Sequence, residues 1–174
     1  MRFSDVTINI RGRHFPAHKN ILATRSEVFA AMFEHLTNEN LTNQITIEDI
    51  EPEVFHQLLR FMYTKRLTSE TMDTMAAALL IAADKYMIGE LKSECQNHLL
   101  RNMSAFNCVE LILRCDLLDP AEHLKEVVKE ATHFFRCSST QVMATKEWKT
   151  VEEENPDLIS KIQKFFCQQQ SITL

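Results

Sequence analysis

Between Asp5 and Ile10 polar and apolar residues alternate, with Val6, Ile8 and Ile10 set against Asp5, Thr7 and Asn9. A period of two predicts a half-buried strand. Arg11-Gly12 supplies a tight turn, and Arg13 to Ala17 returns as the second arm of a hairpin. Ile45 and Ile47, alternating with Thr46 and Glu48, predict a third strand. It must pair non-locally with the hairpin, because alone it is not stable.

Elsewhere the spacing is helical. Phe15 to Phe33 holds two short helical patterns separated by Arg25-Ser26, with Ser26 as N-cap and Glu27 in the first turn, at the positive end of the dipole. Val28/Met32 and Phe29/Phe33 are two i,i+4 apolar pairs, more than one buried stripe requires. One row is expected in the core and the other against a partner. Leu36 to Asn43 reads as a polar loop, and Pro52 opens a helix with Val54, Leu58, Phe61 and Met62 on one face. After a break at Lys65 to Ser69, with Thr68 or Ser69 as cap, Met72 to Ala83 is apolar over much of its circumference and predicts a central helix. Ile88, Leu91, Cys95 and Leu99 mark the next.

Ser104 is a second N-cap, and Val109, Ile112 and Leu113 mark a helix that Leu118-Asp119-Pro120 ends. Leu124, Val127, Val128, Ala131, Phe134 and Phe135 form an amphipathic stripe, Ser138 to Trp148 reads as irregular, and Asn155-Pro156 starts a last helix. The fold class is therefore α+β: a small three-stranded sheet with a helix cluster over residues 1–101, then an all-helical segment over 102–174.

Composition narrows the function. Only 2 Gly and 4 Pro in 174 residues suit a helical chain with short connections. A net charge of -5 argues against a general nucleic-acid binder, which needs clustered basic surface. The apolar runs are too short to span a membrane, and Met1 to Asp5 has no leader character. Five cysteines, an odd number without a Cys-x-x-Cys, read as buried thiols in a reducing, intracellular compartment.

No catalytic constellation emerges. His133 and Cys137 share a helical face, but two ligands do not make a zinc site. Glu152-Glu153-Glu154 reads as solvated charge ahead of the last helix. There is no phosphate loop or nucleophile elbow. No cofactor and no enzymatic activity are expected. What remains is apolar surplus near helix ends, at Phe33, Tyr63 and Tyr86, where aromatic anchors suit a protein-binding face.

Asp5-Val, Phe-Pro-Ala-His-Lys19, Leu22-Ala-Thr-Arg-Ser26, Val-Phe-Ala-Ala-Met-Phe33, Pro52-Glu-Val-Phe55, Phe61-Met-Tyr-Thr64 and Leu80-Ile-Ala-Ala-Asp-Lys-Tyr86 follow one another in an order that resembles BTB/POZ domains. Met32-Phe-Glu-His35 and Glu51-Pro-Glu-Val-Phe55 are similar to the speckle-type POZ proteins, and Glu147-Trp148-Lys149 with Asn155-Pro156-Asp157-Leu158 resembles their 3-box/BACK segment. The resemblance implies a non-enzymatic adaptor, nuclear and/or cytoplasmic, that recruits cullin-3 into a RING-type ubiquitin ligase and forms BTB homo- or heterodimers. Carried over by position, the cullin-binding surface falls on Met32, Phe33, Thr37, Glu39, Tyr63, Lys65 and Tyr86.

Four departures qualify this expectation. The family's hydrophobic-x-Glu loop motif is Thr37-Asn38-Glu39 here, so the apolar anchor position is Thr37. Losing one anchor costs about 1–2 kcal/mol, roughly 5- to 30-fold in affinity. The chain starts just before the first strand, without residues for the family's leading dimer helix, and no MATH domain precedes it. Gln163 stands where an aromatic of a second self-association contact is expected. The weakened loop motif and the missing MATH domain motivate an alternative: a self- or hetero-association module that pairs with full-length speckle-type proteins without engaging cullin.

Overall fold

The computed structural model describes residues 3–34, 43–114, 124–154, 156, 157, 159, 160 and 162. The alternating stretches form strands β1 (Val6–Ile10) and β2 (Arg13–Ala17), antiparallel, with Thr7 opposite Pro16 and Ile8 opposite Phe15. Arg11 and Gly12 both have positive φ, 48° and 80°, the conformation whose twist suits a two-residue hairpin. β3 (Gln44–Thr46) pairs parallel to β1, with Ile45 beside Ile8, giving the order β2-β1-β3. Val6, Ile8, Ile10, Phe15, Ala17 and Ile45 are buried, so one face of the sheet is core.

Two short helices follow the hairpin, α1 (Lys19–Arg25) and α2 (Glu27–Glu34). They are joined through Ser26, which is buried although polar. Its Oγ accepts from the Phe29 N–H (3.2 Å) and donates to the Tyr86 carbonyl (2.5 Å), so the expected N-cap also ties α2 to a residue sixty positions on. α3 (Pro52–Thr64) starts on Pro52, which needs no N–H at the first turn, and buries Val54, Phe55, Leu58, Leu59, Phe61 and Met62. Arg11 pairs with Glu51 at 2.6 Å, and Arg13 with Glu53, tethering the hairpin to this helix start.

α4 (Ser69–Lys85) is capped by the Thr68 hydroxyl, which accepts from the Thr71 N–H at 3.2 Å, and it buries Ala76, Ala77, Leu79, Leu80, Ala82 and Ala83. Its alanines let it pack closely against α3. α5 (Gly89–Arg101) follows a tight turn in which Met87 takes a positive φ of 53°. Rings bind these elements together. Phe55 lies 5.2 Å from Phe15 and 6.5 Å from Phe29, and Phe29 stacks on Tyr86 at 5.1 Å with planes 10° apart.

The chain divides into two compact units, Met1–Gln96 and Asn97–Leu174. In the second, α6 (Ala105–Arg114) is capped as expected by Ser104, whose Oγ accepts from the Asn107 N–H at 3.2 Å. α7 (Lys125–Met143) buries Val127, Val128, Ala131 and Val142. The Cys108 thiol of α6 donates to the Ala131 carbonyl at 3.3 Å. The segment Ser138 to Trp148, expected to be irregular, is instead largely helical. α7 leaves helical geometry only at Ser138 (φ -130°, ψ 29°) and resumes to Met143, and α8 (Lys146–Glu154) begins on a cap in which Thr145 Oγ1 accepts from the Trp148 N–H. Burial of Val142 and of the Trp148 ring, 5.3 Å from Phe135, overrides the weak helix preference of Ser-Ser-Thr. Glu152-Glu153-Glu154 are exposed at the end of α8, and the described residues beyond them, Pro156, Asp157, Ile159, Ser160 and Ile162, are helical, as expected of the last helix. The expected break at 118–120 lies outside the described residues.

Cys95 and Cys108 are buried, as expected, and desolvation pushes both thiols up to about 12. Cys137 is exposed, because it falls on the outer face of α7 beside His133 (3.8 Å), while Cys115 and Cys167 lie outside the described residues.

Phe29→Ala removes the ring shared by α2, α3 and Tyr86, and should destabilise the chain by about 3–5 kcal/mol in urea titration. Alkylation at neutral pH should modify Cys137 well before Cys95 and Cys108, read by peptide mass spectrometry. The buried pair should react only as the fold opens.

Candidate functional site

α2 carries two apolar rows on a helix with room to bury one. Phe29 turns inward and is fully buried, while Met32 is 36% exposed and Val28 half-buried. The split expected from the sequence is therefore present, with the Val28/Met32 row facing outward. Phe33 lies between these states, stacked on Phe29 at 6.2 Å, with the Lys19 ammonium 5.8 Å from its ring.

Tyr63, in the last turn of α3, is held from the start of α1. Its phenol oxygen accepts from the His18 N–H at 2.9 Å and lies 2.7 Å from His18 Nδ1. The next residue, Lys19, gives its backbone N–H to Asp5 Oδ1 (2.8 Å) and its ammonium to Asn43 Oδ1 (2.7 Å). His18-Lys19 thus bridges two site residues, Phe33 and Tyr63, that belong to different helices. Burial raises the Tyr63 phenol and the Asp5 carboxylate adds to the effect, while the His18 N–H partly offsets them.

Lys65 closes α3 as a left-handed C-cap (φ 54°), its N–H bonded to the Phe61 carbonyl at 2.7 Å, and its ammonium meets Glu90 at 2.7 Å. The Glu90 carboxyl is held low chiefly by that hydrogen bond, with Lys65 and Arg25 charges adding to it. Tyr86 departs from the reading of a half-exposed rim residue. It is 1% exposed, its ring flat on Phe29 and its carbonyl on Ser26. Its place is beneath α2, where it supports the surface without forming part of it. Burial pushes its phenol up to about 12. Thr37 and Glu39 lie outside the described residues.

The arrangement suits contact more than chemistry: an outward apolar row, an aromatic rim and flanking cations. Among the described residues no three His, Cys, Asp or Glu side chains are grouped to hold a metal ion, and no helix is long and apolar enough to cross a membrane. His18 and Lys19 were legible in the sequence only as part of Phe-Pro-Ala-His-Lys. Their bridging role depends on partners fourteen to forty-five residues away.

A family model described as the BTB/POZ domain matches residues 1–103. TD and POZ domain-containing protein 5 of the mouse is 39% identical over 158 residues, 90% of this chain; the chain spans 45% of that relative's length. Among solved structures, the BTB domain of zebrafish PATZ1 is 28% identical with a TM-score of 0.49, over 58% of this chain and 79% of that one.

Tyr63 and Tyr86 are the chain's two tyrosines. Both phenols are raised in the fold, so folding favours their neutral forms. Both contributions are whole below the ordinary value of 10.0 and are lost above it, that of Tyr86 as pH rises towards about 12. Phenolate absorbance should therefore appear later in the native chain than in urea, and stability should fall across that alkaline window. Tyr63→Phe should remove the delay for the less buried phenol alone and leave that of Tyr86.

Proposed function

Because the chain belongs to the BTB/POZ domain family, we propose that it is a non-enzymatic adaptor that presents α2 and the end of α3 to cullin-3 in a ubiquitin ligase. The observation that carries this reading is the outward Val28/Met32 row beside a fixed Phe33. It is an apolar surface on a helix already anchored to the core by its opposite face. BTB/POZ domains are protein-interaction modules, and this one offers aromatic and methionine anchors of the kind that dominate interface energies. Tyr63 adds a ring whose hydroxyl is already engaged by His18, so it offers a partner its ring and not its hydroxyl. The likeness to speckle-type POZ proteins in the motif run, and Glu39 in the loop, support the choice of cullin-3.

Thr37 favours a second reading, in which the module pairs with other BTB chains and does not engage cullin. Its hydroxyl replaces the apolar anchor of the loop motif.

The deciding measurement is calorimetric titration of the cullin-3 N-terminal domain into this chain. Micromolar binding is expected, weakened roughly 5- to 30-fold by Met32→Ala, a surface change that leaves the core intact. Phe33→Ala should weaken it comparably, with folding checked by circular dichroism. No heat at tens of micromolar would discard the cullin reading. Thr37→Leu restoring heat would then place the defect in the loop, and co-purification with a BTB relative would support the pairing reading.

A further inference from the structure

Where α1 ends, α3 ends and α5 begins, the first unit leaves a cleft of about 280 Å³. Phe61, Met62 and Ile88 form its floor, and Arg25, Lys65 and Glu90 stand around its mouth. Each charge has a local reason to be there: Arg25 in the last turn of α1, Lys65 at the C-cap of α3 and Glu90 in the first turn of α5 complement their own helix dipoles. Their convergence on one opening is not explained by that. Two cations share one carboxylate, and Glu90 is committed to Lys65 at 2.7 Å. Arg25 is close enough to lower the Glu90 carboxyl, yet its guanidinium has no hydrogen-bond or ion-pair partner among the described residues. The approach to the α5 N-terminus is also open, since nothing lies within 4 Å of where a side chain at Gly89 would begin.

We propose that this cleft docks an acidic side chain of a protein partner, its carboxylate held by Arg25 and its aliphatic stem against Ile88 and Met62. The guanidinium supplies a planar, bidentate fit to a carboxylate that an ammonium lacks. The backbone N–H groups at the start of α5 add donors on the same side. Glu90 acts as an internal competitor: the incoming carboxylate must share Lys65 with it, which keeps the site weak for isolated anions and selective for a carboxylate carried on an apolar segment. The cleft shares Lys65 with the surface assigned to cullin-3, but the inference stands or falls independently of that assignment.

The test is a nuclear magnetic resonance titration of the full, isotope-labelled chain with an end-capped tetrapeptide of alternating leucine and glutamate, and with its lysine counterpart. The acidic peptide should shift the amides of Thr24, Arg25, Ile88 and Gly89 with millimolar affinity, and the lysine peptide at least about tenfold more weakly. Arg25→Gln, an exposed change at a helix end, should cost about tenfold, and Glu90→Gln should tighten binding about two- to fivefold by freeing Lys65. Equal response to both peptides, shifts confined elsewhere, or an unaltered response in Arg25→Gln would overturn the proposal. So would shifts of the same amides on diluting the chain alone, which would assign the cleft to a second copy.

Discussion

One hydroxyl group sets the geometry of the first unit. Ser26 sits in the break between α1 and α2, and its single oxygen both caps α2 and bonds the carbonyl of Tyr86 across a separation of sixty residues. A buried hydroxyl is costly unless it is satisfied, and here it is satisfied in two directions. With the Phe29 and Tyr86 rings stacked alongside, α2 can rotate neither about its axis nor away from the turn after α4. The outward placement of Val28 and Met32 follows, because only one face of an eight-residue helix can meet that stack.

The elements that carry the fold were written in local pattern. Alternation at Val6-Ile8-Ile10 marked β1, Pro52 and Thr68 marked helix starts, and the alanine-rich run marked α4. What pattern alone missed was decided by distant partners. Tyr86 has the composition of a rim residue, but the positive-φ turn at Met87 folds the chain so that its ring lies under α2. Ser138 to Trp148 looked irregular because Ser and Thr compete for backbone bonds, yet burial of Val142 and Trp148 drew the segment into helices. In the candidate site Met32, Phe33 and Tyr63 were visible as large residues near helix ends, whereas the bridge at His18-Lys19 depends on Asp5, Asn43 and Tyr63 meeting in space.

Charge is deployed locally and not as a general field. The chain is acidic, with a net charge of -5, yet the ends of α1 and α3 bring Arg25 and Lys65 to one cleft beside Glu90. Beyond a Debye length of about 8 Å at physiological salt the overall charge is screened. At contact distance an acidic group would therefore meet a positive site on an otherwise repelling protein. Such an arrangement disfavours non-specific attachment to anionic polymers while leaving a short-range preference for carboxylates.

Pro16 carries a consequence for self-association. It lies in β2, at the edge of the sheet, and has no N–H to give; Arg13 and His14 beside it are exposed. At the opposite edge β3 offers only three residues. Neither margin is a good template for an added strand, one missing a donor and charged, the other too short for a stable ladder. A second chain that joins this one gains little by extending the sheet. Assembly is thereby directed to the helical faces, where side chains set the specificity, and the open-ended strand stacking that leads to fibrils is suppressed.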